Sequence, residues 1–372
     1  MALCHEWLAQ RDGSVKTFEV MASVLPGADL FALTLDRSSG IALGGRHVQT
    51  TVLDRLKPVL PQRALQLPLM PAAWRYASRQ SYDVVVTSSH ACAKGFWPAR
   101  QALHLCYCYT PMRYLWMPSI DRRAHRSAIT SPVERWLKKW DLASATWVDE
   151  FAAISVAVQQ RIENVYGRSA RVIHPPVETD RFTPDESSHP GDYALAVSRL
   201  VGYKRLDLAI EACRQLGYPL VVAGSGPEEH RLRALGHRLG ADVRFVIGPS
   251  DDELIRLYRG ADVVVFMAEE DFGIVAVEAQ SCGTPVVALA AGGSVDTVVP
   301  GETGVLTADQ EVDSVAAGIE TVLSGGFDPR ACRRNAERFS VARFEEEFVA
   351  WIRAAAATRG LDIESPPLSE AV

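Results

Sequence analysis

The segment from Glu270 to Glu278 contains the residues of this 372-residue sequence best suited to bind a polar ligand. It follows a strand-like apolar run and opens a helix-like one, so its amides would form a helix N-terminus that attracts anions. Gly273 would let the backbone approach a ligand closely. Glu278 falls among apolar neighbours, where a buried carboxylate needs hydrogen-bonding partners. We therefore expect a ligand that carries phosphate and hydroxyl groups, and a ribose diol would suit Glu278.

Two other interpretations of these carboxylates are open. Glu270 alone fits a surface charge near a helix N-terminus. Two glutamates could also form a glycosidase pair, whose carboxyl groups lie about 5 Å apart in retaining enzymes and at most roughly 9.5 Å apart in inverting ones. Eight residues of helix would separate the two backbones by about 12 Å. The spacing disfavours a hydrolase pair but leaves it open.

Positive charge follows an earlier strand of the same half of the chain. Arg199 and Lys204 could bind one diphosphate, Arg199 through its forked guanidinium and Lys204 as a point charge. Each charge-assisted hydrogen bond would contribute about 1.5 to 3 kcal/mol. A solvated surface pair is the alternative. Gly224 is a weaker signal, because a strand, a glycine turn and a helix also fit a simple tight turn.

Length and composition restrict the function classes. A chain of 372 residues predicts two domains. The net charge of -6 gives no general attraction to nucleic acid, so no nucleic-acid partner is expected. The seven cysteines include no pair or cluster at zinc spacing, which predicts buried reduced thiols, no metal site and no cofactor. No signal peptide or long apolar run is present, which predicts a cytoplasmic protein without a membrane span.

Short apolar runs alternate with helical patterns along both halves, which predicts an α/β protein with parallel sheets. The strands of the second half are expected at 193–197, 220–223, 243–247, 262–268 and 285–290, and its helices at 206–216, 228–239, 251–258, 274–281 and 294–298. In the first half, strands are expected at 2–5, 30–35, 82–88, 103–109, 151–154 and 171–174. A proline-rich polar linker places the domain boundary near residue 180. A helix should run from about 340 to 358, followed by a flexible tail.

These motifs resemble glycosyltransferase family 4, the retaining enzymes with the GT-B fold. The second half matches through Glu270 to Glu278, residues 279–285, the Gly292-Gly293 pair and residues 301–304. The first half is similar to a bacterial mannosyltransferase branch at residues 5–8, 88–95 and 106–114.

The resemblance implies two Rossmann-like domains facing across a cleft, with the C-terminal helix returning to the N-terminal domain. Residues 1–180 would bind the acceptor, residues 181–340 would bind the nucleotide-sugar donor, and residues 341–372 would form the crossover helix and tail.

Position by position, the resemblance assigns catalytic roles to three side chains. Arg199 and Lys204 would hold the diphosphate and neutralise its charge as it leaves, and Glu270 would position the transferred sugar. The other residues it assigns to the donor are Gly13, Gly224, Ile247, Gly248, Phe272, Gly273, Ile274 and Glu278. Of these, Glu278 would bind the ribose, and Ile247 with Gly248 would line the base pocket. Gly13 would let the loop after the first strand approach the phosphates.

Two positions depart from the branch. The loop at 12–16 reads Asp-Gly-Ser-Val-Lys where the branch usually has Gly-Gly-x-Glu-Lys. Tyr109 stands where the branch has a histidine before Thr-Pro-Met-Arg. A tyrosine donates a hydrogen bond but carries no proton back and forth near neutral pH. His90, Tyr109 and Arg113 are therefore the candidate contacts to the acceptor or sugar, with a purely structural role for His90 equally open.

The implied activity is metal-independent transfer of a hexose with retention of configuration. The donor would be a nucleotide diphosphate sugar, GDP-mannose in this branch, and the acceptor a lipid-linked glycan or a small molecule. Two alternatives stay open: a GT-B relative with epimerase or pseudo-glycosidic coupling chemistry, and a nucleotide-sugar-binding protein without turnover.

A basic and aromatic segment predicts peripheral contact with anionic lipid at the inner face of the membrane. Its residues are Arg122, Arg123, Arg126, Arg135, Trp136, Lys138, Lys139 and Trp140. A partly packed surface helix explains the same pattern equally well.

Overall fold

The chain folds into two compact units of α/β structure. The computed structural model describes residues 1–9, 11–60, 63–117, 131–185 and 191–362. The first unit comprises Met1–Pro176 and Phe344–Val372, and the second comprises Val177–Arg343. Beside this division, the sequence-based boundaries after residues 180 and 340 stay predictions.

The first unit is built on a seven-stranded parallel sheet. Its strands are β1 (Ala2–Leu8), β2 (Asp29–Leu35), β3 (Val48–Thr50), β4 (Val84–Ser89), β5 (Leu103–Cys108), β6 (Glu150–Ala153) and β7 (Ala170–Val172). Its helices, up to the linker, are α1 (Gly13–Val24), α2 (Val52–Leu56), α3 (Arg63–Gln66), α4 (Met70–Arg75), α5 (Arg113–Trp116), α6 (Ser131–Ala145) and α7 (Val156–Tyr166). The strand order β3-β2-β1-β4-β5-β6-β7 reverses direction between β1 and β4. In open α/β sheets, ligands bind beyond the carboxyl ends of the strands at such a reversal.

The second unit is built on a six-stranded parallel sheet. Its strands are β8 (Ala194–Val197), β9 (Leu220–Ala223), β10 (Val243–Val246), β11 (Val263–Phe266), β12 (Val286–Leu289) and β13 (Gly304–Thr307). The helices that follow the linker are α8 (Leu206–Leu216), α9 (Glu229–Leu239), α10 (Asp251–Gly260), α11 (Ile274–Ser281), α12 (Ser294–Thr297), α13 (Val312–Leu323), α14 (Pro329–Glu337) and α15 (Val341–Ala357). The order β10-β9-β8-β11-β12-β13 reverses between β8 and β11.

Burial on both faces explains the continuous apolar sequence of β11. Val263 and Val265 face a core cluster that includes Ile210 of α8. Val264 and Phe266 face the opposite cluster, which includes apolar residues of α10 and α11. Successive side chains of a strand point to opposite faces, so a central parallel strand must be apolar at every position.

Helix α15, which agrees with the helix predicted after residue 340, packs on the first unit. The ring of Tyr107 in β5 meets Phe344 and Phe348 edge to face, with centroids 5.7 and 6.3 Å apart. The indole Nε1 of Trp351 donates to Glu150 Oε2 at 2.9 Å. The flexible tail predicted after this helix falls mostly outside the described residues.

Helix α6 contains the described part of the basic and aromatic segment. Arg122, Arg123 and Arg126 lie outside the described residues. The two tryptophans of α6 differ, because Trp136 is 46% exposed whereas Trp140 packs against Gly95. Within the described ranges, no helix is both long and apolar enough to cross a membrane.

Candidate functional site

The charges predicted to act together lie at the carboxyl ends of β8 and β11, on either side of the strand-order reversal of the second unit. Arg199 follows β8 by two residues, and Glu270 follows β11 by four. Lys204 ends the short turn before α8. The topology therefore brings the three predicted catalytic residues to one edge of one sheet, where ligands of this sheet type bind.

Lys204 and Glu270 form an ion pair through Nζ and Oε1. The side chain of Lys204 is 9% exposed and that of Glu270 is 23% exposed. The ammonium also lies 5.8 Å from the ring centroid of Phe266 and 5.3 Å from that of Tyr203. Because the pair is partly open to solvent, one ligand could contact both charges.

Arg199 is exposed and lightly held. Its Nη2 lies 3.4 Å from the hydroxyl of Tyr203 in the same loop. A guanidinium with one long hydrogen bond can turn toward an incoming phosphate at little cost.

Arg205 and Gln310 tie the two charged loops together, a role that the sequence did not indicate. Arg205 has φ of +52°, a left-handed conformation that costs a non-glycine residue about 1 to 2 kcal/mol. Its Nη1 donates to Gln310 Oε1 at 3.1 Å, and Gln310 Nε2 donates to the carbonyl of Met267 at 2.6 Å. The loop with Lys204 is thereby connected to the segment that leads from β11 to Glu270.

Close backbone contacts explain why residues 292 and 293 are both glycines. A Cβ at Gly292 would lie 2.1 Å from the carbonyl oxygen of Glu270, and one at Gly293 would lie 2.2 Å from Cα of Phe272. The amide of Gly293 also donates to the Glu270 carbonyl at 2.9 Å. Only glycines allow this approach, so the pair shapes the backbone that presents Glu270. Gly273 has φ of +90° and precedes α11.

Glycines also bring the loop after β9 against the loop after β8. A Cβ at Gly224 would lie 1.9 Å from the carbonyl oxygen of Ser198, and one at Gly226 would lie 2.5 Å from that of Leu200. Gly224 thus has a packing reason to be glycine, which favours the tight-turn interpretation. Its assignment to the donor stays a prediction.

The remaining predicted donor residues differ in exposure. Ile247 is 42% exposed, and a Cβ at the neighbouring Gly248 would meet no atom within 4 Å. Phe272 is buried against Phe339 with ring centroids 5.5 Å apart, so its backbone rather than its ring would face a ligand. Ile274 is half-buried as the first residue of α11.

Glu278 has a partner within the protein. The hydroxyl of Tyr258 in α10 donates to Glu278 Oε2 at 2.9 Å, and the carboxylate is half-buried. Burial, followed by the charge of Glu278, raises the pKa of Tyr258, so the hydroxyl remains a donor. Tyr258 is thus one of the hydrogen-bonding partners that a buried carboxylate needs, and binding of a ribose by Glu278 stays a prediction.

The strand-order reversal of the first unit holds a buried carboxylate. Glu6 of β1 is fully buried, and its Oε1 accepts from Ser89 Oγ at 3.0 Å and from the amides of Ala91 and Ala93 at 2.9 and 3.0 Å. Burial alone would raise the pKa of Glu6, but His90, His5 and these amides together lower it. The carboxylate is thus held charged inside the unit.

The hydroxyl of Tyr109 is hydrogen-bonded within the protein. Its hydroxyl donates to the carbonyl of Ser14 at 3.0 Å and lies 3.0 Å from Ser88 Oγ, which in turn lies 3.0 Å from His5 Nδ1. Tyr109 is 8% exposed, and burial raises its pKa. This side chain joins the end of β5 to α1, and a contact with sugar or acceptor stays a prediction.

The sequence predicted that Gly13 lies in a loop, but the structure places it in a helix. It is the first residue of α1, and Asp12 caps this helix by accepting from the amides of Ser14 and Val15, both at 3.1 Å. The aspartate that departs from the branch pattern therefore occupies the helix N-terminus itself. Arg113 begins α5 and is half-buried.

The cysteines form no disulfide bonds. All seven are buried free thiols, as expected. Among the described residues, no group of three or more His, Cys, Asp or Glu is arranged to hold a metal ion.

Two family sequence models match successive parts of the chain. The model described as Glycosyltransferase Family 4 matches residues 27–181, and the model described as Glycosyl transferases group 1 matches residues 179–339. Together they cover the strand-order reversal and the charged loops of the second unit.

Curated relatives match about half of the chain. A D-inositol 3-phosphate glycosyltransferase of Mycobacterium sp. (strain JLS) is 37% identical over 183 residues, which are 44% of this chain and 41% of that protein. A GDP-mannose-dependent alpha-(1-6)-phosphatidylinositol monomannoside mannosyltransferase of Mycolicibacterium smegmatis is 32% identical over 209 residues, 49% of this chain and 54% of that protein. The chain thus spans about half the length of the curated relatives it matches.

Solved structures match nearly all of the chain at low identity. HepE of Anabaena in complex with UDP has a TM-score of 0.71 at 18% identity and covers 95% of this chain and 100% of its own. Sucrose-phosphate synthase of Thermosynechococcus elongatus has a TM-score of 0.71 at 20% identity, with 96% and 100% covered. These likenesses show the fold alone, which is GT-B. With the two family matches, the chain belongs to glycosyltransferase family 4.

Proposed function

We propose that the chain is a retaining hexosyltransferase that uses a nucleotide diphosphate sugar. The observation that carries this proposal is the meeting of Arg199, Lys204 and Glu270 at the carboxyl ends of β8 and β11. Two cations beside a carboxylate suit a ligand that has a diphosphate at one end and sugar hydroxyls at the other.

In the proposed reaction, the bond between sugar C1 and the diphosphate oxygen breaks, and its electrons go to the leaving diphosphate. Arg199 and Lys204 stabilise this growing negative charge, which is where fixed cations lower a barrier most. An acceptor hydroxyl attacks C1 from the face the diphosphate leaves, and its proton passes to the departing phosphate oxygen. Glu270 binds sugar hydroxyls, and the α-configuration of the donor is kept in the product.

GDP-mannose is the proposed donor, and a lipid-linked glycan or small polyol is the proposed acceptor. The name of the Mycolicibacterium relative includes GDP-mannose and a phosphatidylinositol mannoside, and the other relative is named for D-inositol 3-phosphate. These names support a hydroxyl-rich acceptor that is either attached to a lipid or small.

The test is release of nucleoside diphosphate from a panel of GDP-, UDP-, ADP- and dTDP-sugars with candidate acceptors. Arg199→Ala and Lys204→Ala should each lower kcat about 10²- to 10³-fold, as loss of a charge-stabilising donor does in other enzymes. Arg231→Ala is the matched control, because Arg231 is an exposed arginine of the same unit that pairs with Glu228. A β-linked product from an α-linked donor would overturn retention, and equal rates in all variants would overturn the site.

A nucleotide-sugar-binding protein without turnover is a second candidate. The observation that favours it is that Tyr109 stands where the branch has a histidine and that its hydroxyl is hydrogen-bonded to Ser14 and Ser88. Thermal stabilisation by a nucleoside diphosphate, with no release from any donor sugar, would support this candidate. Release of a free or epimerised sugar would instead support the other chemistry of a GT-B relative.

We also propose that α6 touches anionic lipid at the inner face of the membrane. Arg135, Trp136 and Lys139 are exposed on this helix. Flotation with liposomes should show salt-sensitive binding only when anionic lipid is present, and Trp136→Ser should weaken it. Binding that ignores lipid charge would contradict the proposal.

A further inference from the structure

The buried carboxylate of Glu6 faces one nitrogen of His90. His90 Nδ1 is buried and lies 3.4 Å from Glu6 Oε2, while the backbone amide of His90 also points at this carboxylate, 3.2 Å from Oε1. In this geometry Nδ1 makes no hydrogen bond to a described residue, but Glu6 Oε2 is an acceptor within 3.4 Å of it. Because a carboxylate only accepts hydrogen bonds, a small turn of the ring satisfies Nδ1 only if this nitrogen carries the hydrogen. For the neutral form of His90 we therefore expect the Nδ1–H tautomer, with a lone pair on Nε2.

The ring of His90 is confined and partly open. Trp7, His5 and Tyr109 surround it, with ring centroids 5.0, 5.8 and 6.0 Å away. The His90 side chain is 27% exposed although Nδ1 is buried, so the exposure lies on other atoms of this side chain. The sequence places His90 directly after β4, at the strand-order reversal of the first unit.

Two of these neighbours, Tyr109 and His5, are less able than His90 to accept a hydrogen bond from a ligand. Tyr109 gives its hydroxyl hydrogen to the Ser14 carbonyl. His5 is fully buried, and burial lowers its pKa to about 4. Of these three side chains, His90 is the one that is substantially exposed.

We propose that Glu6 is a positioning residue, which holds His90 so that Nε2 accepts a hydrogen bond from a hydroxyl of the acceptor. This inference rests on the proposed sugar transfer and adds to it the residue that receives the acceptor and the group that orients this residue. The arrangement follows the general logic in which a buried carboxylate sets the tautomer of a histidine.

The first measurement is the tautomer of His90 in the full-length protein, from long-range ¹H–¹⁵N spectra of histidine-labelled samples. The wild type should show Nδ1–H. In Glu6→Gln, the amide oxygen can keep the contacts of Oε1 while the amide NH₂ faces Nδ1, so the ring should change to Nε2–H. An Nε2–H tautomer in the wild type would overturn the proposal, even if the variant failed to fold.

The second measurement is transfer to the acceptor against hydrolysis of the donor. His90→Gln and Glu6→Gln should each lower kcat/KM for the acceptor about 10- to 100-fold, the loss expected for one unmade hydrogen bond. Donor hydrolysis and thermal stabilisation by nucleoside diphosphate should stay unchanged. Because the two residues act as a unit, the double variant should be no worse than either single one.

The control variant is Glu19→Gln, which alters a buried glutamate of the same unit that pairs with Arg11. It should leave transfer and the His90 tautomer unchanged. Full transfer by His90→Gln, or equal loss of donor hydrolysis, would overturn acceptor binding. Additive losses would reduce Glu6 to a structural role. A wild type that binds no nucleotide would instead contradict the proposed function, while the tautomer would still decide the contact with Glu6.

Discussion

The two units each contain a lysine–carboxylate pair packed against aromatic rings, and the two pairs differ in how completely they are enclosed. Lys94 and Asp141 in the first unit are 3% and 0% exposed, whereas Lys204 and Glu270 in the second are 9% and 23% exposed. The buried pair joins the segment after β4 to α6. The open pair lies at the edge of a sheet where a ligand can bind.

The buried pair is also saturated with hydrogen bonds. Asp141 Oδ2 accepts from Trp116 Nε1 at 2.8 Å and from the Tyr166 hydroxyl at 3.0 Å, and Lys94 donates to the carbonyl of Ala91 at 3.0 Å. Burial alone would lower the pKa of Lys94, but Asp141 raises it, so the lysine stays charged. Similar residue types thus stabilise one unit and remain available to a ligand in the other.

The largest expected effect is on stability, from Asp141→Asn. This change leaves the buried ammonium of Lys94 without its counter-charge, which should lower the free energy of unfolding of the first unit by about 3 to 5 kcal/mol. Urea unfolding followed by circular dichroism measures it. Glu134→Gln breaks the exposed pair with Lys138 and should change stability by less than about 1 kcal/mol. A similar small change in both variants would remove the contrast between the pairs.

Glu270→Gln should change stability little but lower the transfer rate strongly, in contrast to Asp141→Asn. Because the pair with Lys204 is partly exposed, we expect a stability change below about 1 kcal/mol. Transfer should nevertheless fall about 100-fold, since the carboxylate is proposed to hold the sugar and a misplaced sugar costs that much. Initial rates at saturating donor, beside a thermal melt, measure both. A variant that melts early and keeps its rate would reverse the assignment of the two pairs.

Next in size is Gly293→Ala, which tests whether the open pair depends on the backbone around it. The new methyl group would lie 2.2 Å from Cα of Phe272, so the segment with Glu270 must move. We expect a loss of about 1 to 3 kcal/mol in stability and a lower transfer rate. Gly236→Ala in α9 is the control, because its Cβ would meet only ordinary contacts at 3.6 Å and alanine favours helix by roughly 0.5 to 1 kcal/mol.

The sequence predicts the open pair better than the buried one. In the second unit, each charge stands in a short loop after an apolar strand, and the helices 206–216 and 274–281 were predicted at their observed bounds. The parallel-sheet topology then brings the loops together without further information. Sequence patterns did not predict α13, α14 or β13, and β13 begins at a glycine, which weakens its strand pattern.

The first unit is harder to predict from the sequence, because its polar contacts join residues that lie far apart along the chain. Glu6 stands inside a strand and gains its donors from Ser89 and the residues after it, more than eighty positions away. Strand periodicity gives no sign of such partners. In the same way, Tyr258 satisfies Glu278 from another helix, and β3 is too short and polar to be distinguished from a loop.

Acid should weaken the first unit through its buried histidines. Burial lowers the pKa of His104 to about 4, against about 6.5 when unfolded, so the unfolded chain binds the proton first. The contribution of His104 should therefore be complete above pH 6.5 and fall by up to about 1.4 kcal/mol per pH unit as the pH drops toward 4, and His5, whose pKa burial also lowers to about 4, should add a similar loss. Unfolding at pH 7, 6 and 5 tests this. His104→Gln should flatten the slope, whereas His47→Gln, at an exposed position, should not.

The smallest expected effect is that of Tyr258→Phe, which asks whether the second unit also depends on an internal partner. The change removes only the hydroxyl that donates to Glu278, so stability should fall by about 1 kcal/mol. If Glu278 binds the ribose, its carboxylate will be less well oriented, and KM for the donor should rise a few-fold while kcat is kept. Tyr218→Phe is the matched control, because its hydroxyl donates to Asp262, at the opposite end of β11 from Glu270. An equal rise in KM for both variants would show that Tyr258 affects the fold of the unit and not the orientation of Glu278. Glu278 would then be no better suited to bind a ligand than the buried carboxylates of the first unit.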